Sequence, residues 1–226
     1  MNADYLLAYL SDLEQNNSRD WFLENKAAYR EAGRLFEEMI GSLMQELRKT
    51  DDAIPLFAPK ELIFQLRRDT RFSRDKSPYN PCFRAHISAG GKRPVPVGYY
   101  LSVRPGNRSF LGGGLFADMF KDATAMVRDY LAGHGEEWRE ILSSPAFAST
   151  FTVDGTALKQ VPKGYDADCP AAPYLKNKSW YVEYPITDEQ LCRPDFVPFA
   201  AAVFERMRPF NDYLNRALAG FQMPER

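Results

Sequence analysis

The spacing of apolar residues changes period once in the first half of this chain, and that change constrains the fold more than any other feature. Up to about Thr50 the apolar residues recur at helical spacing. Leu6, Leu10 and Leu13 share one face, and Trp21, Tyr29, Phe36, Met39, Ile40, Leu43 and Leu47 form a second stripe. From Leu62 onward they alternate. Leu62, Phe64 and Leu66 interleave with Ile63, Gln65 and Arg67; Phe83, Ala85 and Ile87 with Arg84, His86 and Ser88; Tyr99, Leu101 and Val103 with Tyr100, Ser102 and Arg104. A period of two marks half-buried strands. A fourth strand, Arg108 to Leu111, follows the Pro105-Gly106-Asn107 turn, after which the helical period returns. Helices before and after a contiguous run of strands argue against alternating βαβ units. They predict an α+β fold: an antiparallel sheet of four to six strands, with long N- and C-terminal helices packed on one face.

The expected elements follow from local chemistry. A helix over residues 2–16 stops at Asn16-Asn17-Ser18, whose side chains bond their own backbone. Asn17 or Ser18 caps a second helix running to about Thr50, with Gly33 and Gly41 as places where it can bend. Gly112-Gly113-Gly114 ends the strands, and Asp118 caps a third helix through Met119, Ala123, Met126, Val127 and Tyr130. A short helix around Glu136–Leu142, a loop-rich stretch over 150–178, a fifth strand at Trp180–Tyr184 and a last helix from about Asp195 to Leu218 complete the chain. There is no repeat and no long linker, so residues 1–226 read as a single domain.

Several classes of function are excluded or disfavoured. No run of 18 apolar residues is present, and the N-terminus lacks the basic start of a secretory signal, so no membrane partner is expected. The three cysteines, Cys82, Cys169 and Cys192, are odd in number and far apart, which argues for free thiols in a cytoplasmic setting. Only two histidines occur, His86 and His134, and no metal-ligand spacing exists, so neither a metal nor a cofactor is expected. Cys82 reads as a small buried hydrophobe, because His86 lies about 13 Å further along the strand.

Charge is distributed unevenly. Between Lys60 and Arg93, nine basic residues face three acidic ones, a local balance of +6 in a chain of net charge −1. Most of them sit in Arg67-Arg68-Asp69-Thr70-Arg71-Phe72-Ser73-Arg74-Asp75-Lys76-Ser77-Pro78-Tyr79-Asn80-Pro81, a long connection between the first two expected strands. Guanidinium groups recognise phosphate or carboxylate bidentately, and long ordered connections often carry function. The expected site is therefore a positive wall of Arg67, Arg71, Arg74 and Lys76, shaped by Tyr79 and His86, taking an anionic or phosphorylated small molecule. The plainer arrangement has Asp69 and Asp75 clamping Arg71, Arg74 or Lys76 in a loop that buries Phe72 and Tyr79. Three further functions compete: a hydrolase or transferase acting on a phosphorylated substrate, a nucleic-acid binder using the basic window, and a protein-interaction module.

The same block, together with Asn16-Asn17, Arg19, Trp21-Phe22, Gly98-Tyr99-Tyr100, Gly112-Gly113-Gly114, Leu158-Lys159 and Pro162-Lys163-Gly164-Tyr165, resembles a family of bacterial and fungal proteins catalogued as a domain of unknown function. The resemblance covers nearly the whole chain. It implies one whole-chain domain and carries no activity, cofactor or catalytic residue.

Three secondary features complete the reading. Strand alternation places Gln65, Arg67, Arg84, His86, Tyr100 and Ser102 on one polar sheet face, where His86 is either an acid–base group or a histidine bonded to its neighbours. The triple glycine suits a tight turn or close packing better than anion binding, since no Lys-Ser/Thr follows it. Lys159, Lys163, Tyr165, Lys176 and Lys178 read as solvated residues rather than as cleft residues.

Overall fold

The structure is a computed structural model that describes residues 2–54, 56–116 and 120–224. Its first helix, α1 (Ala3–Gln15), buries Leu6, Leu10 and Leu13, and its start is capped by the Asn2 side chain, which accepts the Tyr5 N–H at 3.2 Å. The expected second helix is two helices, α2 (Arg19–Glu24) and α3 (Lys26–Leu47). Ser18 caps α2 as anticipated, accepting the Trp21 N–H. The break falls at Asn25, not at a glycine: its side-chain amide and its backbone N–H both donate to the Trp21 carbonyl at 2.9 Å. An Asn side chain that takes a helix carbonyl competes with helix propagation. Gly33 and Gly41 stay within α3.

The sheet has four antiparallel strands in sequence order: β1 (Phe83–Ile87), β2 (Tyr99–Val103), β3 (Ser109–Leu115) and β4 (Trp180–Ile186). It is an α+β meander, and β4 is the strand expected at Trp180–Tyr184. The strand expected at Leu62–Arg67 does not form. Pro59–Leu62 is a helical turn, α4, and Ile63 and Arg67 make only isolated bridges to Ala85 and Tyr79. Pro78 and Pro81 on the returning chain have no N–H to donate, so a continuous ladder cannot build. The shift also moves one residue to the other face. Phe64, not Gln65, lies outside, its ring 6.1 Å from that of Tyr100.

The triple glycine is a second correction. Gly112–Gly114 lie inside β3 rather than ending it. Of the two roles expected of them, a tight turn or close packing, it is close packing that they serve. A Cβ on Gly113 would sit 2.5 Å from Met207 Sδ on α10 (Phe196–Ala217), so glycine lets that helix settle against the strand. The inner sheet face, including Phe83, Ala85, Leu101, Leu111 and Val182, meets α3 and α10. Phe36 stacks 5.2 Å from Phe83, and Phe204 lies 5.1 Å from Tyr99. Helices α5 (Lys121–Gly133), α6 (Gly135–Ser143), α7 (Pro145–Ala148), α8 (Ala172–Leu175) and α9 (Asp188–Cys192) complete the set among the described residues. The Asp118 cap and Met119 lie outside those residues. No helix described is long and apolar enough to cross a membrane.

Candidate functional site

The Arg-rich connection folds into an irregular hairpin whose base is well tied. Arg68 donates its N–H to the Pro78 carbonyl at 2.9 Å, and Asn80 donates to that of Leu66 at 2.7 Å. From the turn between α1 and α2, the Asn17 amide accepts the Tyr79 N–H at 3.1 Å and donates to the Tyr79 carbonyl at 2.8 Å. This two-bond clamp fixes Tyr79, whose ring stacks on Phe22 with centroids 4.1 Å apart. Asn17→Ala removes both bonds from a half-buried backbone unit and is expected to cost about 2 kcal/mol. Chemical denaturation, with faster exchange of the Tyr79 amide, is the check.

Both carboxylates of the hairpin are occupied. Asp69 takes the Arg71 fork, with Nε at 3.0 Å and Nη2 at 2.6 Å. Asp75 pairs with Arg68, not with Arg74 or Lys76, and accepts the Ser77 N–H and hydroxyl at 2.9 and 2.7 Å. The Ser77 bonds, followed by Arg68, hold the Asp75 carboxyl well below the usual range. Lys76 donates to the Thr70 carbonyl at 3.0 Å. Phe72, expected to be buried, stands 96 % exposed at the tip, where the Arg71 guanidinium lies 5.9 Å from its ring. The tip projects away from the core and buries neither residue.

Two cavities flank Tyr79. One, of about 410 Å³, is lined by Asn17, Asp75, Ser77, Arg68, Arg104 and Glu14. Its arginines are already paired, Arg68 with Asp75 and Arg104 with Glu14. The other, of about 460 Å³, lies between α2 and the hairpin base and is lined by Arg19, Phe22, Tyr29, Gln65, Arg67 and Tyr79. Among the described residues neither Arg19 nor Arg67 is in an ion pair. The second cleft therefore has free guanidinium groups above an aromatic wall.

The expected site residues thus part company. Arg67 and Tyr79 meet at the cleft. Arg71 and Lys76 are engaged within the hairpin, and Arg74 is exposed and lines neither cavity. His86 lies elsewhere, on the outer face of β1, its ring 6.4 Å from Tyr100. Burial pushes its pKa down to about 4, opposed by hydrogen bonding to the Arg93 backbone. It lines neither cavity beside the hairpin. Arg19 is the cleft residue not anticipated among the basic candidates. Only Trp21-Phe22 beside it, an aromatic pair on a short helix, hinted at a wall.

The other candidates do not line this cleft. Cys82 is buried, with Sγ 3.1 Å from Ser102 Oγ, and burial raises its pKa. Lys159 and Lys176 line a cavity of about 590 Å³ with Asp168 and Cys169, whereas Lys163 and Lys178 do not. The Tyr165 hydroxyl donates to Asp129 at 2.7 Å.

Comparison with curated proteins and with solved structures gives no match. A family model described as conserved hypothetical protein (DUF2461) matches residues 5–213, a span that begins within α1, ends within α10 and holds the sheet and the Arg19–Arg67–Tyr79 cleft. The chain therefore belongs to the DUF2461 family of conserved hypothetical proteins.

Proposed function

We propose that this protein binds a small anionic ligand, a phosphorylated molecule with a flat apolar part, in the cleft between α2 and the hairpin base. The observation that carries the reading is the pair of unpaired guanidinium groups, Arg19 and Arg67, beside the Phe22–Tyr79 stack. Guanidinium forks bind phosphate with two parallel charge-assisted bonds. An aromatic wall of Phe22, Tyr29 and Tyr79 suits a planar ring, and about 460 Å³ falls in the size range of small-molecule sites. Arg74 and Lys76 add positive potential nearby that is screened within about 8 Å at physiological salt. The three free cysteines fit a reducing cytoplasm. The cleft supplies cations, aromatic rings and an amide, which is a binding set, and the hydrolase, transferase and nucleic-acid alternatives gain no residue from it.

Calorimetric titration with inorganic phosphate and with a nucleoside monophosphate tests the reading. The nucleotide is expected to bind more tightly than phosphate alone. Arg19→Ala and Arg67→Ala should each weaken binding roughly tenfold, from the loss of a charged hydrogen-bonding partner, while Arg74→Ala changes it little. Wild-type affinity in the Arg19/Arg67 double variant, or no binding of either probe, would overturn it.

A further inference from the structure

The cleft between α2 and the hairpin base differs from the cavity across Tyr79 in the state of its polar lining. The side chains of Arg19, Tyr29, Gln65, Arg67 and Tyr79 line the cleft and make no hydrogen bond among the described residues. Across Tyr79 the opposite holds. There the Asn17 amide is spent on the Tyr79 backbone, Ser77 donates to Asp75, and Arg68 and Arg104 are paired with Asp75 and Glu14. Polar groups that water alone satisfies lose those bonds when an apolar group covers them, and keep them only under a ligand that offers matching partners.

Gln65 is the member of that lining that a plain phosphate site does not need. A guanidinium only donates, and each tyrosine hydroxyl is one atom, whereas the Gln65 amide holds a donor beside an acceptor. A nucleobase edge also holds a donor beside an acceptor, and side-chain amides read such edges bidentately. The placement suits the pairing. Gln65 and Arg67 stand two residues apart, at most about 7 Å between Cα atoms, which is the order of the distance that a sugar puts between a phosphate and its base. Arg19 opens α2 and Phe22 follows one turn later, so the guanidinium and the ring share a side of that helix. Phe22 packs 4.1 Å from Tyr79 and 4.9 Å from Tyr29, so the aromatic wall is set before a ligand arrives. A sugar phosphate would leave that wall unused, and a phenyl phosphate would leave the amide unpaired. A nucleobase has apolar faces for the wall and a polar edge for the amide.

We infer that Gln65 selects a nucleotide for this cleft, its amide pairing with the edge of the base while Arg19 and Arg67 hold the phosphate. The inference rests on the anion-binding reading of the cleft and adds to it the class of ring that the ligand carries. Gln65 acts here on specificity, by direct contact with the base. Exchange of the amide for a carboxylate has a distinctive consequence. A carboxylate only accepts, and among the common bases guanine alone presents donors on two adjacent atoms, N1–H and the N2 amino group. Glutamate at this position therefore favours guanine over the other bases.

Calorimetric titration with phenyl phosphate and with the adenine, guanine, cytosine and uracil nucleoside monophosphates tests this. The tightest nucleotide is expected to bind the wild type about tenfold more tightly than phenyl phosphate, from the two hydrogen bonds of the amide. Gln65→Leu should remove that advantage and leave phenyl phosphate binding unchanged. Gln65 is exposed, so the variant should keep the wild-type circular dichroism. Gln65→Glu should shift the ranking about tenfold toward the guanine nucleotide. Phenyl phosphate bound as tightly as every nucleotide overturns the inference. So does a nucleotide advantage that survives Gln65→Leu, or a Gln65→Glu protein whose ranking does not move toward guanine. In these three cases the Arg19–Arg67 reading stands, because phenyl phosphate binding depends on the guanidinium groups and the aromatic wall and not on the amide. Absence of binding by every probe overturns both.

Discussion

Gly114→Val is expected to destabilise the protein by about 4 kcal/mol, the combined effect of a backbone conformation that valine resists and a space that it cannot enter. Gly114 has φ +97°, in the left-handed region that β-branched residues avoid. A Cβ there would lie 2.7 Å from Phe210 Cε1 and 2.9 Å from the Tyr181 Cα, and well inside contact distance of the Trp180 carbonyl oxygen. Two of these three obstacles are backbone atoms of β4, which cannot rotate away as a side-chain tip can. Relief would require β3 and β4 to part, or α10 to lift from the sheet and uncover Met207 and Phe210, both fully buried. Gly33→Ala is the contrasting variant. It lies inside α3, a Cβ meets nothing within 4 Å, and replacing glycine by alanine in a helix should stabilise by about 0.5–1 kcal/mol. Urea titrations of the two variants should move the midpoint in opposite directions. A Gly114→Val protein within about 1 kcal/mol of wild type would show that β3 is not the seat of α10.

The same strand shows what sequence spacing can and cannot disclose. Period-two alternation located β1, β2 and β4 because each has one buried face, and the leucines of α1 announced its buried stripe. The alternation failed at Leu62–Arg67, where Pro59 begins a helical turn and Pro78 and Pro81 on the facing chain withhold donors. Pairing there depends on a partner strand that the local pattern does not contain. Three consecutive glycines read as an interruption because glycine weakens an isolated strand. Their role as a seat for α10 depends on Met207 and Phe210, far away in sequence. The cleft follows the same logic. Arg67 and Tyr79 were legible because they bracket one hairpin, whereas Arg19 reaches them only through the Asn17 clamp. The other cations of the block were legible as a charge excess but not as partners. Asp69 took the nearest arginine, Asp75 took Arg68, and the tip carried Phe72 into solvent.

His86 should make the folded state acid-sensitive over a window set by its burial. Its pKa is pushed from 6.5 to about 4 because the ring is 7 % exposed and faces Tyr100, with only the Arg93 backbone bond favouring the charged form. In the unfolded chain the imidazole protonates as pH falls through 6.5, while in the folded chain it resists until about 4. Protons therefore bind preferentially to the unfolded state between those values. The stability contributed by keeping His86 neutral is complete above pH 6.5, erodes as pH falls, and is lost near pH 4. At about 1.4 kcal/mol for each pH unit between 6.5 and 4, the total is about 3–4 kcal/mol. Carboxylates such as Glu183, whose pKa is raised, and Asp75, whose pKa is lowered, titrate in or below the same range and blur the raw curve. The difference between wild type and His86→Gln isolates the histidine, since glutamine keeps a hydrogen-bonding side chain of similar length and does not titrate. The wild-type curve should fall more steeply than the variant's from pH 6.5 to 4, and the two should run parallel above pH 7. Parallel curves throughout would mean that the folded protein accommodates a charged imidazole on the outer face, with Arg84 two residues away along the same strand; the histidine would then be wet enough to titrate normally, and the face around it would be more open than its burial allows.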